Sequence, residues 1–440
     1  MSDRILRFPE GFLWGAVTSA HQIEGNNSKN DWWEWERSGG RTADGSVSGE
    51  ACLHYERFQS DFDLVKSLGM NALRLSIEWS RLEPEEGAWA DEAVEHYLRV
   101  LRSLRQLGIV PFVTLNHYTL PLWLAKRGGW ESKKTVEAFE QYARRAVRCF
   151  GDYVRHWITI NAPVLYTYLG YVACVAPPGV RSRWKGLRAC RNLIKAHVKA
   201  YHAIRDEAGR MGSDAQVGFA KYLRVFDPSS KNATSDRLAA VTHDYFFNEL
   251  VPNSLHAGIM AFPLGFNRYV AEMEDCFDFI GVNYYARETV RFGLRRGRRS
   301  ADQCVGEPRQ VRSRCPGEIY PEGLYRVLEW AAGFGKPIYV TENGLATDCD
   351  EARCRFILCH LKQVYDAIQL AGDIRGYFYN SLMDGFEWHG GYGVQRGLIS
   401  VARDDLERQV KPSGVLYGRV CRENGLPADL VRQHCPDAWP

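Results

Sequence analysis

Eight short runs rich in apolar, β-branched and aromatic residues punctuate the chain, at residues 12–20, 72–79, 109–116, 156–161, 216–222, 277–285, 337–343 and 374–382. Between them lie longer stretches, such as 91–107 and 135–153, in which apolar residues recur at helical spacing. Parallel strands need long crossover connections, so strand and helix patterns in alternation predict a parallel sheet. Eight such repeats predict an α/β chain closed into a (β/α)8 TIM barrel. The length of 440 residues suits a barrel with elaborated loops. No Ser/Pro/Gly-rich linker divides it, so residues 1–440 read as one domain.

Composition removes several function classes. Hydrophobic residues make up 45% and charged residues 25%, enough for a large packed core. A formal charge of +3 is too weak a bias to argue for nucleic acid or an anionic membrane, and neither is expected as partner. The opening MSDRILRFPEGF lacks the apolar core of a signal peptide, and no run of about 18 apolar residues occurs. A soluble, cytoplasmic protein without membrane insertion is expected. The twelve cysteines are scattered, and Cys349, Cys354 and Cys359 do not have CxxC spacing. Reduced thiols are expected, with no metal and no cofactor. No Gly-rich turn follows the second or third run, which argues against a dinucleotide site.

Polar and aromatic residues gather where the runs end: Gln22 and Glu24, Glu78 and Trp79, Asn116 and His117, Asn161, Asn283 and Tyr285, Glu342 and Asn343. Glu387 and Trp388 follow the last run. The C-terminal ends of barrel strands converge on one face, where active sites are built. Glu342, in YVTENGLAT, ends an apolar run, so its charge must face a polar cleft or be paired. Gly344 is expected to let the backbone turn sharply behind it. Retaining cleavage of a glycosidic bond takes two carboxylates about 5–5.5 Å apart, one of them a nucleophile. Glu342 is the candidate for that role. The commonplace alternative is a surface glutamate at a strand end.

The segments FPEGFLWGAVTSAHQIEG, ALRLSIEWSR, NHYTLPLWL, TINAPV, FIGVNYY, EIYPEGLY, YVTENGL and SLMDGFEW follow one another over most of the chain. In that order they resemble glycoside hydrolase family 1, the β-glucosidase family. The resemblance implies a covalent, retaining mechanism with Glu342 as nucleophile. It implies that Arg74 and Tyr285 contact Glu342, and a cation and a phenol there would keep it ionised. It matches Gln22, His117, Asn161, Glu387 and Trp388 to the positions that hold the sugar, with Asn161 on the 2-hydroxyl. Amides, imidazole and carboxylate are directional partners for hydroxyls, and an indole offers a flat apolar face. The expected partner is a small β-glycoside or oligosaccharide. Glu387 would repel a phosphate, so an unphosphorylated gluco- or galacto-configured sugar is expected. Oligomeric state is left open.

Three departures from the family pattern stand out. Ala162, in TINAPV, occupies the position of the acid/base glutamate, and alanine cannot transfer a proton. Asn380 replaces the tryptophan before the S-L-L-D motif, removing a sugar-stacking platform. The tryptophan that usually precedes EIYPEG is absent, with CPG in its place. Intact Asn161 and Pro163 suggest that Ala162 is a deliberate substitution. The alternative is natural loss, giving a sugar-binding pseudoenzyme or an enzyme for good leaving groups, and Asn380 speaks for it. The Arg-rich stretch 291–314 reads as a solvated loop, with an anion-binding rim as the alternative.

Overall fold

In the computed structural model, which describes residues 5–293, 319–370 and 372–434, eight strands close on themselves. They are β1 (Leu13–Val17), β2 (Ala72–Ser76), β3 (Val110–Asn116), β4 (His156–Asn161), β5 (Gln216–Pro228), β6 (Phe279–Val290), β7 (Ile338–Asn343) and β8 (Ile374–Tyr379). Each pairs in parallel with its neighbours in sequence, and β8 pairs with β1. With helices between the strands, this is a (β/α)8 TIM barrel.

Residue parity explains the layers. Along β2, Ala72 faces the barrel axis while Leu73 and Leu75 join the outer core. Along β3, Phe112 faces in while Val113 and Leu115 face out. One inward residue from each strand forms an apolar layer across the axis: Val17, Ala72, Phe112, Ile158, Ala220, Phe279, Tyr339 and Phe378. The inward residues one step later on β2 and β3 are Arg74 and Thr114, which bond to one another. The interior is therefore apolar across this layer and polar toward the strand C-termini, where it positions Arg74 and Thr114.

The helices cover the barrel with one apolar stripe each. In Asp91–Gln106 the buried positions are Ala93, His96, Tyr97, Val100, Leu101 and Leu104, at spacings of three and four. Lys133–Phe150 and Arg183–Met211 are capped by the hydroxyls of Ser132 and Ser182. Gly212 ends the latter in the left-handed conformation.

Strands β5 and β6 outrun their sequence signals. They continue to pair from Val225↔Arg287 to Pro228↔Val290, past the barrel rim. Their charged residues hide this stretch from a search for apolar runs. Most of the Arg-rich stretch, from 294 on, and the CPG sequence lie outside the described residues. No helix of the described residues is long and apolar enough to cross a membrane.

Candidate active site

A cleft of about 1030 Å³, open to solvent, occupies the C-terminal end of the barrel. Gln22 and Trp32 reach it from the loop after β1, His117 and Tyr118 from β3, Tyr222 and Arg224 from β5, and Tyr285 from β6. Glu342 comes from β7, and Asn380, Glu387, Trp388 and Arg396 follow β8. The segment after β4 contributes Leu165, Tyr166, Leu169, Val175 and Ala176.

Glu342 is held at both oxygens. Arg74 Nη1 donates to Oε1 at 2.7 Å, and the Tyr285 hydroxyl donates to Oε2 at 2.6 Å. Strict alternation from inward-facing Tyr339 would send Glu342 toward the helices. A register shift between Val340 and Glu342 re-aims it. Gly344 serves a different purpose from the turn expected of it. A side chain there would collide with the backbone oxygen of Asn380, so the glycine lets the ends of β7 and β8 approach.

Arg74 is fully buried and satisfied in several directions: Glu342, the Thr341 carbonyl at 3.0 Å, Thr114 Oγ1 at 3.2 Å and Asn161 Oδ1 at 2.8 Å. Asn161 Oδ1 also accepts from Asn283 Nδ2 at 3.0 Å, and Thr341 Oγ1 donates to Asn283 Oδ1 at 2.7 Å. The Asn161 oxygen is thus filled by two donors, and only its N–H edge can serve a ligand. One Nδ2 hydrogen goes to His117 Nε2 at 3.1 Å. Burial, with the Arg74 charge adding to it, holds His117 well below the usual imidazole range. The ring is neutral, and with Nε2 accepting, its proton sits on Nδ1. Nδ1 has no partner among the described residues.

Tyr285 stays protonated because burial, and next the negative charge of Glu342, push its phenol well above its ordinary range. Its oxygen accepts from Asn380 Nδ2 at 2.5 Å. Gln22 is oriented by Ser19, which donates to Oε1 at 2.7 Å, and by the Phe386 carbonyl, which accepts from Nε2 at 3.0 Å. Trp388, in the left-handed region at φ 52°, packs among His21, Trp32, His117 and Tyr118. Arg396 Nε lies 3.3 Å from Glu387 Oε2, and its guanidinium sits 5.4 Å from the Tyr285 ring centroid.

The other strand-end residues are structural. Glu24 and Glu78 lie in a buried network with Tyr97 and Arg81. Asn116 donates to the Thr119 carbonyl, Asn343 donates to the Tyr284 carbonyl, and Trp79 stacks on Tyr142. Ala162 is buried at 1% exposure, outside the cleft surface. It adopts φ 45°, donates its N–H to the Ala220 carbonyl, and starts helix Pro163–Tyr168 by accepting from Tyr166 N. Arg224 and Arg396 escaped the sequence reading, although Arg396 lies just past FEWHGGYG.

A family model for glycosyl hydrolase family 1 matches residues 5–426. The chain belongs to glycosyl hydrolase family 1. Beta-glucosidase A of Thermotoga maritima is 32% identical over 96% of this chain and 99% of its own length. Beta-galactosidase of Pyrococcus woesei is 31% identical over 97% of this chain and 99% of its own. A solved beta-glycosidase from Pyrococcus horikoshii superposes with a TM-score of 0.89 at 35% identity, covering 99% of both chains. The family 1 b-glucosidase of Thermotoga maritima, solved with isofagomine lactam, gives 0.88 at 32% identity, covering 96% of this chain and 100% of that one. This glycosyl hydrolase family 1 protein thus matches these four relatives over nearly their full length. Among the described residues no group of His, Cys, Asp or Glu could hold a metal ion.

Proposed function

We propose that this glycosyl hydrolase family 1 member is a retaining β-glycosidase for unphosphorylated gluco- and galacto-configured β-glycosides. Glu342 is the covalent nucleophile, and the acid/base is missing at Ala162. The observation that carries this reading is the two-sided grip of Arg74 and Tyr285 on Glu342 at the cleft surface. A protein that only bound sugar would need no such buried carboxylate.

Gln22, His117, Asn161, Glu387 and Trp388 form the sugar-binding half. Gln22 and Glu387 stand at the cleft surface as partners for sugar hydroxyls, while Nδ1 of neutral His117 and the amide of Asn161 are buried behind it. Arg396 offsets part of the charge on Glu387, so its repulsion of a phosphate is weaker than the carboxylate alone would give. The neutral-sugar assignment then rests on Gln22 and His117 as well.

A second reading is favoured by Arg224, a buried cation on the cleft surface. Here the protein is an enzyme in its present form, for substrates whose leaving groups need no proton.

A 2-fluoro glycoside with a dinitrophenolate leaving group tests the proposal, because its departure needs no acid. Intact-mass spectrometry should show one adduct, and peptide mapping should put it on Glu342. An adduct on another carboxylate would overturn the assignment. Absence of any adduct, with sugar binding retained, would make the protein a binding pseudoenzyme.

A further inference from the structure

The cleft has two halves of different chemistry. Gln22, His117, Glu387 and Trp388 come from β1, β3 and β8 and form the polar half. The other half comes from β4 and β5, the strands that meet at Ala162, whose N–H bonds to Ala220 of β5. Its surface is Leu165, Tyr166, Leu169, Tyr222 and Arg224. Among the described cleft-lining residues the only carboxylates are Glu342 and Glu387, both already assigned to the sugar. Two of the phenols that line the cleft are Tyr118 and Tyr166. Burial pushes both well above the ordinary tyrosine range, with the charges of Glu342 and Asp31 respectively adding to it. They are poor acids. Among the described residues this half therefore has an apolar wall, a cation and the Tyr222 phenol, but no carboxyl group to act as proton donor.

The cation is built in. Arg224 is 3% exposed. Its Nη1 donates to Glu288 Oε2 at 3.1 Å, and its Nε and Nη2 reach the Tyr222 hydroxyl at 3.4 and 3.3 Å. Its backbone is pinned at both ends by Asn248, which accepts from Arg224 N and donates to its carbonyl. The Tyr222 ring stacks on Tyr285 at 5.4 Å and 22°, and Tyr285 bonds Glu342. The guanidinium is thus two stacked rings away from the nucleophile.

We propose that this half of the cleft accepts an aglycone joined to the sugar through a carboxylate, a β-1-O-acyl glycoside, and that Arg224 is its specificity-determining residue. This rests on Glu342 being the nucleophile. Glu342 forms a bond to the anomeric carbon as the bond from that carbon to the ester oxygen breaks. The bonding pair stays on the oxygen, and the acid departs as a carboxylate with its charge spread over two oxygens, so no proton is needed. Glu288 offsets part of the Arg224 charge, as Arg396 does for Glu387, but the guanidinium is fixed in place, and a preorganised cation acts where the new negative charge develops. Leu165, Tyr166 and Leu169 would cover an apolar or aromatic acyl body. In the second step water attacks the anomeric carbon, the bond from that carbon to Glu342 breaks with its electron pair returning to the carboxylate, and the water's proton goes to bulk solvent. No base assists, so release of the sugar is slow and the carboxylate appears as a burst.

The test compares glycosylation rates of the unaltered protein with a series of aryl β-glucosides and with β-1-O-benzoylglucose. Plotted against leaving-group basicity, the aryl series defines a line. The benzoyl compound should lie tenfold or more above it, with a benzoate burst matching the amount of enzyme. R224Q should bring it down to the line, a loss of about 10–100-fold, and Arg224→Lys should restore part of it. The proposal is overturned if benzoylglucose lies on or below the line in the unaltered protein, a comparison that needs no variant. It is equally overturned if R224Q lowers every leaving group by the same factor. Failure of the dinitrophenyl 2-fluoro glycoside to label Glu342 would be a different result, since it would remove the underlying glycosidase reading.

Discussion

The hydroxyl of Tyr285 lies 2.6 Å from Oε2 of Glu342 and gives it the single proton a phenol has. Because that proton is committed, the Tyr285 oxygen can only accept from its other neighbour, and Asn380 Nδ2 supplies the bond. Asn380 is thus more than a lost indole. It helps fix the angle at which the phenol meets the carboxylate.

Tyr285→Phe should slow glycosylation of Glu342 while leaving sugar binding nearly intact. A hydrogen bond to a charged group contributes about 1.5–3 kcal/mol, which corresponds to about 10–100-fold in rate. Arg74 still holds the other oxygen, so labelling slows but persists. Pre-steady-state labelling with the dinitrophenyl 2-fluoro glycoside measures this directly. A rate unchanged within threefold would show that the phenol has no part in the step.

Asn380→Trp should narrow the range of sugars accepted. An aromatic platform contributes up to about 1–3 kcal/mol of stacking by analogy with other ring platforms. The variant also loses the bond to Tyr285, so its absolute rates fall. The informative quantity is the ratio of rates for glucosides, galactosides and fucosides. Ratios equal to those of the parent would mean that Asn380 does not set sugar selectivity.

Much of this was legible in the sequence, for physical reasons that differ by residue. The strands are buried on both faces, so they appear as apolar runs, and the barrel follows from their number and alternation. Glu342 stands out because a carboxylate at the end of such a run needs a partner. Its orientation was not legible, since the register shift at Val340 reverses the parity that Tyr339 sets. Gly344 signalled a constraint but not its cause, because the backbone oxygen of Asn380 lies 36 positions away in the chain. Glu24 and Glu78 shared the strand-end signal with the cleft residues, yet they turn into a buried network with Arg81. Arg224 was invisible because β5 runs beyond its apolar segment, and a charged residue there looks like loop.

His197 gives a pH-dependent contribution to stability. It accepts from Thr159 Oγ1 at Nδ1 and donates from Nε2 to the Cys276 carbonyl. Burial lowers it to about 4, against about 6.5 in an unfolded chain. Between those values the unfolded chain binds a proton that the native state refuses. Stability from this residue is therefore complete above pH 6.5 and is lost as pH falls toward 4, at about 1.4 kcal/mol per pH unit. Urea unfolding at pH 6.5, 5.5 and 4.5 should show a shallower pH slope in His197→Gln than in the parent. The variant is less stable throughout, so the comparison is of slopes. Equal slopes would mean that His197 is already protonated in the native protein.

Ala162 should produce a selective failure, and Ala162→Glu should reverse it. General acid catalysis contributes about 10²–10⁴-fold. Alkyl glycosides, whose leaving groups need a proton, should be nearly inert with the chain as it stands. Aryl glycosides with acidic phenols should still glycosylate Glu342, after which turnover stalls for want of a base. Azide needs no base to attack. Added to the stalled intermediate, it should restore turnover and yield a β-glycosyl azide, retention following from two inversions at the anomeric carbon. Because Ala162 already stands at φ 45° with both backbone groups bonded, a glutamate there inherits the same backbone frame. Hydrolysis of unactivated glycosides should rise by a factor within the range above, and azide should lose its advantage. An α-glycosyl azide would rule out the covalent route through Glu342. An Ala162→Glu protein that still binds sugar but cleaves no β-glycoside would show that the missing carboxylate is not what limits it.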